Sequence, residues 1–403
     1  MFLKSKKHRN SKPFTVSTVW WNDSVDIIDA ACSCCYHITK QKSYEEKKEY
    51  ISKRVLAGHT SILEHGIIIL FLENVPSKYN DDLITLLSLG RYIQSHVVNT
   101  DEESNTKSIC ISGSIRAYSD LYRKLGVYNK DYYNNPVFRY ILFELMAHSV
   151  KEEWVDLIKD DMIFSNITSE IGFSTYVLPM GYDHDSFNER YVVKEYNLNE
   201  DKSIKVHDEI QLINIARMTR KHPELEKREV LDMIPITIEF KNMSRTATHQ
   251  LVRHRNAITQ ESQRYTNSSN AGFYVPSSVR DKKFSIETMF GYVNDVSLSD
   301  IGYDMIKLYD QLIRAGVKKE DARSILCNNT ECGSLFMTFT CGSLRKFLEL
   351  RTDPHAQEEI RLYANKVKEV TSLLFTYCDR KDIDIEKKEV RYYEYYGYNV
   401  DDE

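Results

Sequence analysis

The chain has 403 residues, 42% hydrophobic and 28% charged, with a formal net charge of −5 and a pI near 6.2. This composition supports one large globular core or two ordinary ones, and its acidity argues against a general nucleic-acid binder, whose affinity needs a basic face that releases counterions. No apolar run reaches the roughly eighteen residues of a membrane span, and the basic segment Met1 to Asn10 has no hydrophobic stretch behind it, so a cytoplasmic protein is expected.

In chain order, Ile28 to Ser33 opens a helix-like stretch holding Cys32, Cys34 and Cys35. His37 follows, but no second cysteine pair completes a zinc pattern, so reduced thiols on a helix are expected and no metal. Gly58 to His65 then leads into the strand Ile67 to Leu72, its exit Glu73 to Lys78, and later the segment Ser112 to Tyr118. Residues 125–210 are mixed and polar and point to no function. Ile213 to Met218 opens a second helix-like stretch, and Ile234, Ile236, Ile238 and Phe240 alternate as one buried strand face should. The exit Lys241 to Arg245 parallels Glu73 to Lys78. The shared order of these segments points to an old duplication, with chance similarity of strand-and-turn segments as the alternative. The expected organisation is a first half over 1–124, a connecting region over 125–210 and a second half over 211–403, whose acidic, tyrosine-rich end after Glu386 is peripheral.

The second half carries the most informative stretch, Gln250 to Tyr265, which holds Arg253, His254, Arg255 and Arg264 with a single carboxylate, Glu261. Guanidinium groups offer forked, permanently charged donors suited to phosphate or developing negative charge, although arginine-rich strips are also common as solvated surface. Downstream lie Glu320 to Arg323, then Leu344, Phe347, Leu348 and Arg351 at one-face helical spacing, then His355-Ala356-Gln357.

Together, Gln250, Arg-His-Arg at 253–255, Ser262, Arg264, Arg323, Arg351 and His355-Ala356-Gln357 resemble the flavin-dependent thymidylate synthases. The resemblance covers most of 211–375 and, more thinly, 27–123. It departs from the family in three places. Six residues rather than seven separate Arg255 from Ser262. Either Ser262 is displaced relative to Glu261, or the deletion lies near Ala257-Ile258; the intact Ser-x-Arg-Tyr spacing favours the second. Thr340 and Gly342 stand where the family has Asn and Arg. Arg228 and Ile234 stand where an upstream His-x-Ser/Thr-x-x-Glu-His box would put its histidines. The first half supplies what is missing, with the box at His59 to His65 and Ser114-Ile115-Arg116 at the Asn-x-Arg place, yet it has Leu125 where the last arginine belongs.

The resemblance implies an α/β (α+β) fold, an antiparallel sheet flanked by helices, repeated twice. It implies reductive methylation of dUMP to dTMP with 5,10-methylenetetrahydrofolate, FAD as hydride donor and NADPH as reductant, in a homodimer that mimics the family's homotetramer. The residues it assigns to dUMP are Gln250, Arg253, Glu261, Ser262, Arg264, Arg323 and Arg351, with Arg351 the catalytic group that favours the charge-developed pyrimidine. Those assigned to FAD are Ser61, Arg253, His254, Arg255, Ser114 and Arg116, and His59 is assigned to folate. Ser262 is read as a phosphate ligand rather than a nucleophile, because no partner base is evident. Read without the family, Ser61 and Glu64 are equally a helix-capping pair, and His254 a strand histidine satisfied by a backbone carbonyl. A weakened, non-catalytic homologue that binds nucleotide or flavin is the alternative function, and a nucleic-acid-binding module is disfavoured by acidity and by the lack of interleaved aromatics.

Overall fold

The computed structural model describes residues 15–21, 24–36, 38, 40–77, 83, 84, 87, 90, 93–118, 120, 121, 195–199, 202–206, 222–289, 291–371 and 375. Ile213 to Met218, Leu125 and the tail after Glu386 lie outside them.

Two antiparallel sheets organise the chain. The first is built from β1 (Thr15–Trp21), β2 (Ile67–Pro76), β3 (Gln94–Asp101) and β4 (Thr106–Ser114), in the spatial order β1-β2-β4-β3. The second contains β5 (Glu195–Asn199), β6 (Lys202–Val206), β7 (Pro235–Phe240), β8 (Ala257–Gln260) and β11 (Leu335–Thr340), in the order β5-β6-β7-β11-β8. β5 and β6 therefore bring part of 125–210 into the second sheet. The hairpin β9 (Lys283–Thr288) and β10 (Gly291–Ser297) forms a separate two-stranded ribbon.

The sheets share an order and a register. Setting β6, β7, β8 and β11 against β1, β2, β3 and β4 reproduces the spatial sequence. Ile67 pairs with Ser114 as Pro235 pairs with Thr340. Gln94 pairs with Ser112 as Ala257 pairs with Thr338. Just outside the strands, Ile115 N–H donates to the Gly66 carbonyl (2.8 Å) as Cys341 N–H donates to the Ile234 carbonyl (2.8 Å). Each second strand exits through an asparagine in the left-handed region, Asn74 (φ 57°) and Asn242 (φ 58°), the residue type that best tolerates it after glycine.

β2 is buried on both faces. Its even positions Ile68, Leu70 and Leu72 join Ile109 and Ile111 under α1 (Ser24–Tyr36) and α2 (Tyr44–Leu56). Its odd positions Ile69 and Phe71, with Val98 and Cys110, join the core of the second half. β7 also has two buried faces. Ile236, Ile238 and Phe240 face that core with Leu335, Met337 and Phe339, as the alternation predicts. The opposite face is buried too, and it is polar. There Thr237 and Thr338 share a hydrogen bond (2.8 Å), and His65, from the 3-10 turn Thr60–His65, bonds Thr338 through Nδ1 and Thr259 through Nε2, each at 2.9 Å. α1 and this turn pack against β8, and α1 also against β11. The first half thus covers one face of the second sheet.

The helices of the second half follow from local chemistry. Ser244 caps α3 (Arg245–Leu251) by accepting from Ala247 N–H, while its own N–H and Oγ donate to the buried Glu359 carboxylate at 2.8 and 2.5 Å. Thr340 and Ser343 form a reciprocal cap on α4 (Cys341–Arg351). Leu344, Phe347 and Leu348 bury one face of that helix, and Arg351 ends it, at the end of the same row. α5 (Glu358–Val370) lays Ile360, Tyr363, Ala364 and Val367 on the same core. No helix among the described residues is long and apolar enough to cross a membrane.

Candidate functional site

The basic strip begins in the last turn of α3, passes through a 3-10 turn (Val252–His254) and enters β8. Arg255 closes that turn in the left-handed conformation (φ 52°, ψ 42°), an unfavourable geometry for any residue with a Cβ, and it is the kind of local strain found at functional sites. Behind it, Arg351 Nε donates to His254 Nε2 (3.0 Å), and Arg351 Nη2 reaches the Gln250 carbonyl (3.5 Å). His254 thus has a guanidinium as a side-chain partner, and its ring sits edge-on to Phe347 with centroids 5.1 Å apart. Burial first, then Arg351 and Lys346, push the His254 pKa down to about 4, so the imidazole is neutral and its Nε2 accepts. Burial and the neighbouring Arg253 also lower the pKa of Arg351. Gln250 Nε2 donates to Gln357 Oε1 (2.9 Å), which ties the strip to His355-Ala356-Gln357. His355 itself points to solvent and bonds Asp353.

Arg253, Arg255 and Arg351 have no carboxylate partner among the described residues. Arg351 is partly buried and feels the charge of Arg253, an electrostatic cost that an anionic ligand would relieve, while Arg253 and Arg255 are exposed and open to such a ligand. This first group, with Gln250 and His254, has the charge to take an anionic ligand.

A second group forms around the loop after β8. Its register against β11 is unbroken from Ala257 to Gln260. Glu261 N–H donates to the Ser334 carbonyl (2.9 Å), and Ser262 N–H donates to the carbonyl of Cys35 in the first half (3.2 Å). Both amides are thereby committed to the protein. Gly333 (φ +69°) gives Glu261 its place, since a Cβ there would fall on the carboxylate. Arg264 is exposed and pairs with Glu320 (3.4 Å), and Arg323 Nε donates to the Glu320 carbonyl (3.2 Å). Lys319 Nζ donates to the Tyr265 carbonyl (2.9 Å). His59 approaches this loop through Tyr36, whose hydroxyl lies 3.2 Å from His59 Nε2 and whose ring stacks on Tyr265.

The third group lies at the end of β4. Ser114 Oγ accepts from Ala117 N–H (3.0 Å), repeating the Thr340 cap of α4. Arg116 bonds Glu64 (2.5 Å) and reaches Asp120 (3.6 Å). Glu64 is therefore an ion-pair partner, and the capping pair with Ser61 does not form: Ser61 is exposed and the turn has no side-chain cap. Ser114 and Arg116 match Thr340 and Gly342 in strand register. The same register sets His59 and His65 against Lys227 and Met233, one residue before the Arg228 and Ile234 expected from sequence. Asp232, opposite Glu64 in that register, pairs with Arg345 (3.0 Å) in place of the missing arginine.

No hydrogen bond or ion pair joins the first group to the third among the described residues, while the second touches the first half directly. Sequence reasoning gave no role to Tyr36, Arg54, Thr259 or Thr338, and none to His65 beyond membership of its box. Cys32, Cys34 and Cys35 are free thiols on α1 as expected, and Cys34 Sγ donates to the Ser334 carbonyl (3.0 Å).

Residues 183–374 match the family profile described as Thymidylate synthase complementing protein. The first sheet lies outside that match. Among curated proteins, the chain is similar to a flavin-dependent thymidylate synthase of Pyrococcus abyssi, 34% identical over 145 residues, covering 35% of this chain and 55% of that protein. It is similar to that of Clostridium tetani at 33% over 162 residues, 36% and 64% of the two chains. A third, from Nitratidesulfovibrio vulgaris, is 32% identical over 158 residues, 38% and 63% of the two chains. The matched stretch spans 55% to 64% of the length of these relatives.

Proposed function

Through residues 183–374 the chain belongs to the thymidylate synthase complementing protein family, and on that premise we propose that it methylates dUMP to dTMP reductively, using 5,10-methylenetetrahydrofolate and NADPH, with FAD as its flavin. The observation that carries this reading is the Arg351 guanidinium held by a neutral His254, with Arg253 near enough to lower the Arg351 pKa and Arg255 in the same strip, none of the three with a carboxylate partner among the described residues. When bound, the flavin supplies hydride to the pyrimidine. The chain's own part is to bind, orient and stabilise charge. Arg264 and Arg323, with the Ser262 hydroxyl, hold the nucleotide phosphate, and Glu261 braces that loop against Gly333-Ser334. His254 accepts from Arg351 and so fixes a guanidinium that favours the charge-developed pyrimidine, a contribution of about 3 kcal/mol on the scale of one oxyanion donor. Gln250, steadied by Gln357, keeps its amide oxygen for the base. Arg253 and Arg255 hold the flavin's anionic groups.

We read the two sheets as diverged copies of one unit, on the support of their common strand order and pairing register. In this reading the copies share the work. The first gives Ser61, Ser114 and Arg116 to flavin and His59 to folate; the second gives the nucleotide contacts and Arg351. A homodimer then carries two composite sites, and an active preparation with the solution mass of a monomer would sink this assembly. The test of the function is the visible spectrum of purified protein, with flavin quantified per chain before and after dUMP. Flavin absorbance perturbed by the nucleotide supports it, whereas a colourless protein that cannot be reconstituted with FAD would leave the chain a non-catalytic homologue.

A further inference from the structure

Tyr36, the last residue of α1, is gripped from several sides. The Arg54 guanidinium lies 4.1 Å from its ring centroid. The Tyr265 ring stacks on it at 5.3 Å and 28°. Its hydroxyl is 3.2 Å from His59 Nε2. Beyond Tyr265, Arg264 continues the alternation of cations and rings, 5.5 Å from the Tyr265 centroid. On the other side, Arg54 also lies 5.0 Å from the Tyr50 ring. The neighbouring residues of α1 grip the same region: the Cys35 carbonyl takes the Ser262 N–H, and Cys34 Sγ bonds the Ser334 carbonyl.

This loop needs such a grip. Over 261–266 only Gln263 is buried, and Tyr265 is 46% exposed. Apolar burial therefore does little to fix Ser262 and Arg264. A half-exposed aromatic pair fed by cations on either side adds directional attraction that the missing core cannot give. We infer that Tyr36 is a positioning residue: through Tyr265 it holds the Ser262–Arg264 loop for a nucleotide phosphate, and through its hydroxyl it sets His59, so that the first half tunes nucleotide affinity in the second. The inference rests on reading that loop as the phosphate site.

The test compares wild type with Tyr36→Phe, Tyr36→Leu and Tyr265→Leu as full-length protein. Amide hydrogen exchange over 261–266 is measured without ligand, and affinity is measured for dUMP and for deoxyuridine, which lacks the phosphate. Tyr36→Leu should speed exchange in the loop and weaken dUMP about threefold to tenfold, the scale of one aromatic pair, while leaving deoxyuridine and bound flavin unchanged. Tyr265→Leu should do the same from the other side. Tyr36→Phe should keep dUMP affinity and shift the pH profile of turnover, because only the His59 hydrogen bond is lost. Unchanged loop exchange in Tyr36→Leu, or an equal loss for dUMP and deoxyuridine, overturns the inference. Faster loop exchange in Tyr36→Leu, together with a wild type that binds no dUMP, would leave the positioning of the loop intact and remove the thymidylate synthase reading instead.

Discussion

Arg351 donates its Nε–H to the lone pair of His254 Nε2, and the neutral ring is what allows it. A protonated His254 would be a second cation at hydrogen-bond distance with no acceptor to offer. The pair is thus a device for aiming a guanidinium, and its failure should be visible in turnover before it is visible in folding. Arg351→Ala should lower kcat by about 10²-fold, the scale of one lost charge-stabilising donor, with flavin content per chain unchanged. Arg351→Lys should recover little, because an ammonium cannot both bond His254 and present a fork. Steady-state kinetics with flavin quantification checks both.

Arg255 gives a prediction in which stability and function move in opposite directions. Its left-handed backbone strains any residue with a Cβ, so Arg255→Gly should stabilise the fold by about 1 kcal/mol in urea denaturation. The same change removes one of the guanidiniums, and flavin affinity should fall. A variant that is more stable and undiminished in flavin binding would mean that the strain serves only the turn.

Acid should loosen the joint between the halves. Burial pushes the His65 pKa down to about 3 and, with Arg351 and Lys346, that of His254 down to about 4. Both are depressed below the value near 6.5 expected in the unfolded chain, so the unfolded state binds more protons. The stability they contribute is full above about pH 6.5, drains away as pH falls from there, and is gone below the folded values. For His65 the slope is about 1.4 kcal/mol per pH unit between about 6.5 and 3. His65→Gln should flatten the pH dependence of unfolding over pH 5 to 6.5, at a cost of about 1–3 kcal/mol at neutral pH from the disturbed threonine bonds. Urea denaturation at several pH values is the measurement.

Arg116 separates the two uses of one position. Its match in the second half is Gly342, where a side chain would crowd Asp232. Arg116→Ala should release flavin while costing under about 1 kcal/mol in stability, since the pair with Glu64 is partly exposed. Flavin retention at the wild-type level would refute the division of labour between the halves.

Much of this could be read from sequence where the signal was local. The alternation of Ile234 to Phe240, the one-sided row Leu344, Phe347 and Leu348, and the correspondence of Ser114-Ile115-Arg116 with Thr340-Cys341-Gly342 all follow from short-range spacing. The polar face of β7 did not announce itself, because nothing near Thr237 and Glu239 in the chain shows that the first half covers them. The histidine box was placed one residue off in the second half because residue types were matched without the strand register, which sets Met233, not Ile234, opposite His65. The capping pair of Ser61 and Glu64 stayed open as an alternative because Arg116, the ion-pair partner of Glu64, lies far along the chain. Tyr36 and Tyr265 meet only through packing of α1 on the second sheet, which no periodicity encodes.

The two-sided burial of β2 bears on how this polypeptide can be cut. A protein made of separable modules survives being divided; here the first sheet, produced by itself, would turn Ile69, Phe71, Val98 and Cys110 toward water, and the second would lose the cover over Thr237, Thr259 and Thr338. Neither piece is then a good solitary product. Made together in one cell, the same pieces present matching surfaces, so reassembly from co-expressed fragments, rather than solubility of either fragment, is the behaviour this architecture favours.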